Sequence, residues 1–148
     1  GWPQAGRKRA LQAIHRARAM HIAGDQHLAT IVQHGILAHQ DGPWAFVVPA
    51  IVNNYYGRWW HPADEQPGAD RDPSNPLPWT GDYVDGFGNL LTMHAYANPD
   101  SAANGAGYGL ILFDTQEKRI TFECWPRDAD VTKPGTRQFP GWPRTLQP

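Results

Sequence analysis

The feature that most limits how this chain can fold is the segment from Tyr55 to Tyr83, where Pro62, Pro67, Pro73, Pro76 and Pro78 are interspersed with Asp, Gly and Trp. Proline lacks the backbone donor that a helix or ladder needs and pushes the preceding residue away from helical geometry, so regular structure is not expected here. The reading is a long loop. In compact domains such loops usually cover something or carry function.

Two blocks flank this loop. In the first, Gly6 to Ala19 is rich in Arg, Ala, Leu and Gln with no internal Gly or Pro, and Leu11, Ile14 and Arg18 fall at helical spacing. A surface helix of about three turns is expected. It runs into Met20 to Ala23, read as a short buried strand that stops at Gly24. A helix, a strand and then a polar loop is the order that puts functional side chains at the carboxyl edge of a sheet. Leu28 to Leu37 reads as a strand, with a helix as the alternative. Trp44 to Val52 is apolar and β-branched, and Pro49 within it implies a sheet edge or a bulge. In the second block three strands are expected, Asn89 to Ala97, Tyr108 to Asp114 and Arg119 to Trp125, the last two joined as a hairpin through Asp114 to Lys118. From Arg127 onward the chain reads as proline-rich coil.

Composition sets outer bounds. At 148 residues with 41% hydrophobic content, one core is expected, so residues 1–148 are read as a single unit. A net charge of -1 provides no basic field for a nucleic acid or an anionic membrane, so neither is expected as a partner. No run approaches the roughly 20 apolar residues that span a bilayer. The single cysteine, Cys124, beside Trp125, is read as a small packed hydrophobe rather than a reactive thiol. Because the chain opens on Gly1, it is read as a fragment, a processed product or a complete repurposed protein.

The chemistry-bearing run is Gly24-Asp25-Gln26-His27. If strand geometry persists into the loop, His21, Ala23, Asp25 and His27 share one face, which brings a carboxylate and an imidazole together. Those donors suit a metal such as Zn, Fe or Mn. The bland alternative is a polar loop in which Asp25 caps a turn through its own side chain. His34 is the histidine placed best to reach the mouth of such a site, and His21 sits deeper, suited to a supporting or substrate-contacting role. His15, His39, His61 and His94 show no ligand spacing. Asp64, Glu65, Asp70 and Asp72 lack the spacing of a calcium loop and read as solvated. Tyr55, Tyr56, Arg58, Trp59 and Trp60 form an aromatic cluster read as a cover for the sheet edge, or else as a stacking surface for a sugar or base.

Several pieces, in order, resemble the C-terminal part of PhoD-like (alkaline phosphatase D type) metallophosphoesterases. They are Met20-His21-Ile22-Ala23-Gly24-Asp25-Gln26-His27-Leu28-Ala29, the run from Trp44 to Asn53, Asp85-Gly86-Phe87-Gly88-Asn89, Ala95 to Pro99, Gly107-Tyr108-Gly109, Glu123 to Arg127, and Pro140 to Pro143. The resemblance covers nearly the whole chain. It implies an α/β fold, the C-terminal portion of a calcineurin-like four-layered α/β sandwich: one helix, then mostly antiparallel strands and a long Pro-rich loop. It also implies that Asp25 and His27 stand where the family's last metal motif, Gly-His-x-His with Asp in the first position in PhoD-like members, places two ligands.

By the same resemblance the complete protein is a secreted hydrolase, extracellular or periplasmic, that cleaves phosphate mono- or diesters. It would use two metal ions, Fe and Ca or else Zn or Mn, which polarise the phosphoryl oxygens and activate a water. The family's earlier Asp-rich and Gly-Asn motifs are not in these 148 residues. Two ligands are too few for a catalytic metal, so the isolated chain is expected to be inactive, and the remaining ligands must come from an N-terminal half or from another chain. The alternative is a non-catalytic structural module that associates through open strand edges, with itself or another chain. A carbohydrate-binding β-domain built on Trp59 and Trp60 is a third reading.

Overall fold

The computed structural model describes residues 3–51, 60–97 and 105–147. Its helix α1 is Gln4–Arg16, followed by β1 (His21–Ala23), β2 (Ala29–His34), β3 (Trp44–Val47), β4 (Gly81–Val84), β5 (Leu90–Ala97), β6 (Gly107–Asp114), β7 (Arg119–Pro126) and β8 (Arg144–Leu146). The large sheet has the order β1-β3-β2-β5-β4, and the small sheet β6-β7-β8. All pairings are antiparallel except β1 with β3. The fold is therefore mixed α/β but mostly β, one helix and two sheets among the described residues.

The two sheets share a core. Phe46, fully buried in the middle of β3, meets Phe122 of β7 edge-on at 5.3 Å and Trp142 at 5.7 Å. Close approach depends on Gly109 of β6, because a Cβ there would lie 2.7 Å from the Phe46 ring. Cys124 is fully buried in the same cluster, as expected of a packed hydrophobe, and burial raises its thiol pKa far above the ordinary range.

The outer cover of the large sheet is lighter. Leu11 is the buried residue of α1. The helix is also tied down by Arg7, whose Nη1 donates to Asn89 Oδ1 at 3.0 Å and whose Nη2 lies 3.3 Å from His34 Nδ1. Asn89 is itself held by the Asp85 carboxylate, which accepts from the N–H groups of Phe87 and Asn89 and from the Asn89 amide.

Several sequence expectations change. The strand expected to be buried at Met20 to Ala23 forms as β1, but His21 and Ile22 are exposed, because β1 is a short edge strand with a single neighbour. β3 lies between β1 and β2 rather than at an edge, and it ends at Val47, so Pro49 never enters the ladder. Leu28 to Leu37 is a strand rather than a helix, and it stops at His34 where Gly35 begins a turn; the Asp41 carboxylate closes that turn by accepting from the N–H groups of Ile36, Leu37 and Ala38. The long loop is shorter than expected at its end, because Gly81–Val84 pairs with β5. The tail likewise holds a strand, Arg144–Leu146, paired with β7.

Candidate functional site

The run Gly24 to His27 follows directly on β1, at the carboxyl end of the strand that pairs in parallel with β3. The backbone returns tightly. Gln26 N–H donates to Gly24 O at 2.8 Å, and Val48 N–H donates to Ala23 O at 2.8 Å, which carries the β1–β3 pairing one residue further. Asp25 and His27 then both take left-handed backbone geometry, with φ of 66° and 53°. Asp and His tolerate that region better than most side chains, but it still costs energy and tends to occur where the surrounding structure enforces it.

This geometry changes one expectation. Strand alternation ends at Ala23, and two left-handed residues interrupt it, so the period-two argument does not put Asp25 and His27 on the face of His21. Asp25 is exposed and His27 half-buried. The two donors are separated by Gln26 alone, on a loop open to solvent. Among the described residues, no group of three or more His, Cys, Asp or Glu side chains is placed to hold a metal ion. An Asp carboxylate and a His imidazole are suitable donor types for Zn, Fe or Mn, but as a pair they leave most coordination positions to be filled by other residues.

His21 and His34 do come together, although not at this loop. In the β1–β3 register His21 lies opposite Ala45, the neighbour of Phe46, so alternation turns it away from the small sheet and toward α1. His34, at the end of β2, sits under the same helix against Arg7. Its pKa is lowered to about 4 by burial, with the charges of Arg7 and His21 adding to the effect. The ring is then neutral near pH 7, and since Arg7 can only donate, Nδ1 is the acceptor and Nε2 carries the proton.

The remaining histidines are structural or peripheral. His94 is mostly buried beside Trp44, with ring centroids 4.3 Å apart and a pKa lowered to about 4 by burial and by Arg144. Its residue is the extra one at an irregularity where β5 slips against Ile31 and Val32. His39 Nδ1 lies 3.9 Å from the buried Asp82 carboxylate, which also accepts from Thr92 and Gln40. Asp64, Glu65, Asp70 and Asp72 are exposed, as a solvated loop requires. Of the aromatic cluster, Tyr55, Tyr56, Arg58 and Trp59 lie outside the described residues. Trp60 covers the sheet, donating to Trp79 O at 3.0 Å and packing edge-on against Tyr83 at 5.4 Å. The sequence offered no signal for Arg7, which one helical turn of Arg and Lys does not distinguish from its neighbours.

No family model, curated protein or solved structure matches the chain. No helix among the described residues is long and apolar enough to cross a membrane.

Proposed function

We propose that the complete protein hydrolyses phosphate mono- or diesters outside the cytoplasm, and that this chain contributes Asp25 and His27 to a two-metal site completed by residues upstream. The observation that carries the reading is the Gly24 to His27 loop: two metal-donor side chains in left-handed geometry at the carboxyl end of an edge strand. The edge of β1 away from β3 has no partner strand among the described residues, which leaves room for a strand that brings the other ligands. The ordered resemblance to PhoD-like phosphoesterases supports the same reading.

Within that reading, Asp25 and His27 would hold metal, and the bound ions would supply Lewis-acid polarisation of the phosphoryl group and an activated water. This chain's own part is to fix the two donors. The β1–β3 pairing anchors the loop on one side and β2 anchors it on the other. Asp25→Asn and His27→Ala in the complete protein are each expected to lower bound metal and to reduce phosphoesterase rate by a factor of 100 or more, on the order expected for lost metal-ion catalysis. Unchanged metal content and unchanged rate in both variants would remove the basis of the reading.

A second reading is favoured by β6. It is an eight-residue edge strand without proline or lysine, and Leu110 and Leu112 on it are 40% and 48% exposed. A non-catalytic module that assembles through this edge would sediment as an oligomer, and Leu110→Lys would return it to monomer. A monomer at all concentrations would exclude it.

A further inference from the structure

Between α1 and the large sheet lies a solvent-open cleft of about 280 Å³ lined by Arg7, Ala10, Leu11, Ile14, His21 and His34, of which His21 is exposed. Its lining is divided by chemistry. Ala10, Leu11 and Ile14 form an apolar wall along one face of the helix, while Arg7, His21 and His34 bring a guanidinium and two imidazoles to the lining; no acidic side chain lines the space, although Arg7 also bonds Asn89 and His34 and lies within electrostatic reach of Asp85. Above this space α1 buries Leu11 against the sheet and is tied down by the polar contacts of Arg7.

We infer that this cleft is a binding site for a small amphipathic anion, with its carboxylate or similar head group at Arg7 and His21 and its short apolar tail along Ala10, Leu11 and Ile14. Three features select that class. A guanidinium with nearby imidazoles and no carboxylate in the lining favours negative charge. The apolar helix face rewards burial of hydrocarbon, at about 25 cal/mol per Å². The volume falls just below the roughly 300 Å³ at which sites for drug-sized molecules begin, so the tail is a short acyl chain or a single ring. Neutral His34 keeps its Nδ1 turned to Arg7 and orients the guanidinium rather than adding charge. The inference owes nothing to the phosphoester reading, because none of these residues belongs to the Gly24 to His27 loop.

Octanoate titrated into the complete protein provides the test, followed through the ring proton signals of His21 and His34, with acetate, octanol and octyltrimethylammonium as comparison probes. Octanoate is expected to shift both rings and saturate, whereas acetate lacks the tail and octyltrimethylammonium carries the wrong charge. Arg7→Gln and Ile14→Gln are each expected to weaken octanoate by about tenfold or more. Should Arg7→Gln disturb α1 itself, Ala10→Phe fills the cleft without removing a cation and is expected to block octanoate. No saturable shift with octanoate, equal binding of octyltrimethylammonium or octanol, or octanoate binding that survives Ala10→Phe would each overturn the assignment.

Discussion

The large sheet is covered on its two faces in opposite ways. Toward the small sheet the cover is dense and made of rings, with Phe46 locked against Phe122 and Trp142 and with Gly109 admitting the close approach. Toward α1 the cover is a single helix that buries Leu11 and holds on through Arg7, leaving a cleft beneath it. The ring-packed cluster lies between the sheets, with a space of about 310 Å³ at its margin beside Trp44 and Phe122. The space lined by Arg7, His21 and His34 lies on the thinly covered side.

The largest expected effect follows from the dense face. Phe46→Ala removes a fully buried ring from the centre of the cluster and is expected to cost about 3–5 kcal/mol. Leu11→Ala, at 6% exposure under a helix that already borders a cleft, is expected to cost about 2 kcal/mol and to act mainly on α1. Urea unfolding followed by near-ultraviolet dichroism for the ring cluster and at 222 nm for the helix separates the two. Equal costs, with both signals lost together, would break the comparison.

Acid sharpens it, because each cover has its own partly buried histidine. His34 under α1 and His94 beside Trp44 both have folded pKa values lowered to about 4 from an ordinary 6.5. Between those values the unfolded chain binds more protons than the folded one, so stability is full above about pH 6.5, falls as pH drops toward 4, and falls no further below it through these groups. Each shift corresponds to a loss on the order of 3 kcal/mol. His34→Gln keeps an acceptor for Arg7 and is expected to flatten about half of this dependence in unfolding measured from pH 7 to pH 4. A profile superposable on that of the parent would assign the whole effect elsewhere.

The dense half of this arrangement was legible in the sequence to a large extent. β5, β6 and β7 fall within a residue or two of the apolar runs that predict them, and the Asp114 to Lys118 hairpin forms as read, because these strands carry β-branched and aromatic residues in continuous stretches. β4 and β8 were not legible. Gly81-Asp82-Tyr83-Val84 and Arg144-Thr145-Leu146 are short and polar, follow closely on proline, and become strands only through their partners; Asp82 is accommodated there by Thr92, Gln40 and His39. At the candidate site, residue type and spacing single out Asp25 and His27, and the structure puts both on the loop after β1. Their relation to His21 could not be read, because left-handed geometry at Asp25 and again at His27 leaves no periodic trace. The meeting of His21, His34 and Arg7 is likewise a product of register and helix docking rather than of local sequence.

The smallest expected effect tests whether the two covers are energetically separate. Pro3 occupies the N-cap of α1 with no side-chain hydrogen bond to the helix, and the first turn carries no acidic residue. Pro3→Ser supplies a hydroxyl that can accept from the N–H of Ala5 or Gly6, a gain of about 1 kcal/mol for the helix. If α1 opens independently of the core, that gain appears as slower amide exchange within Gln4–Arg16 while exchange in β2, β5 and β7 stays unchanged. A matching slowdown in the strands would mean that α1 unfolds with the sheets as one unit, and that the thin cover is part of the cooperative core after all.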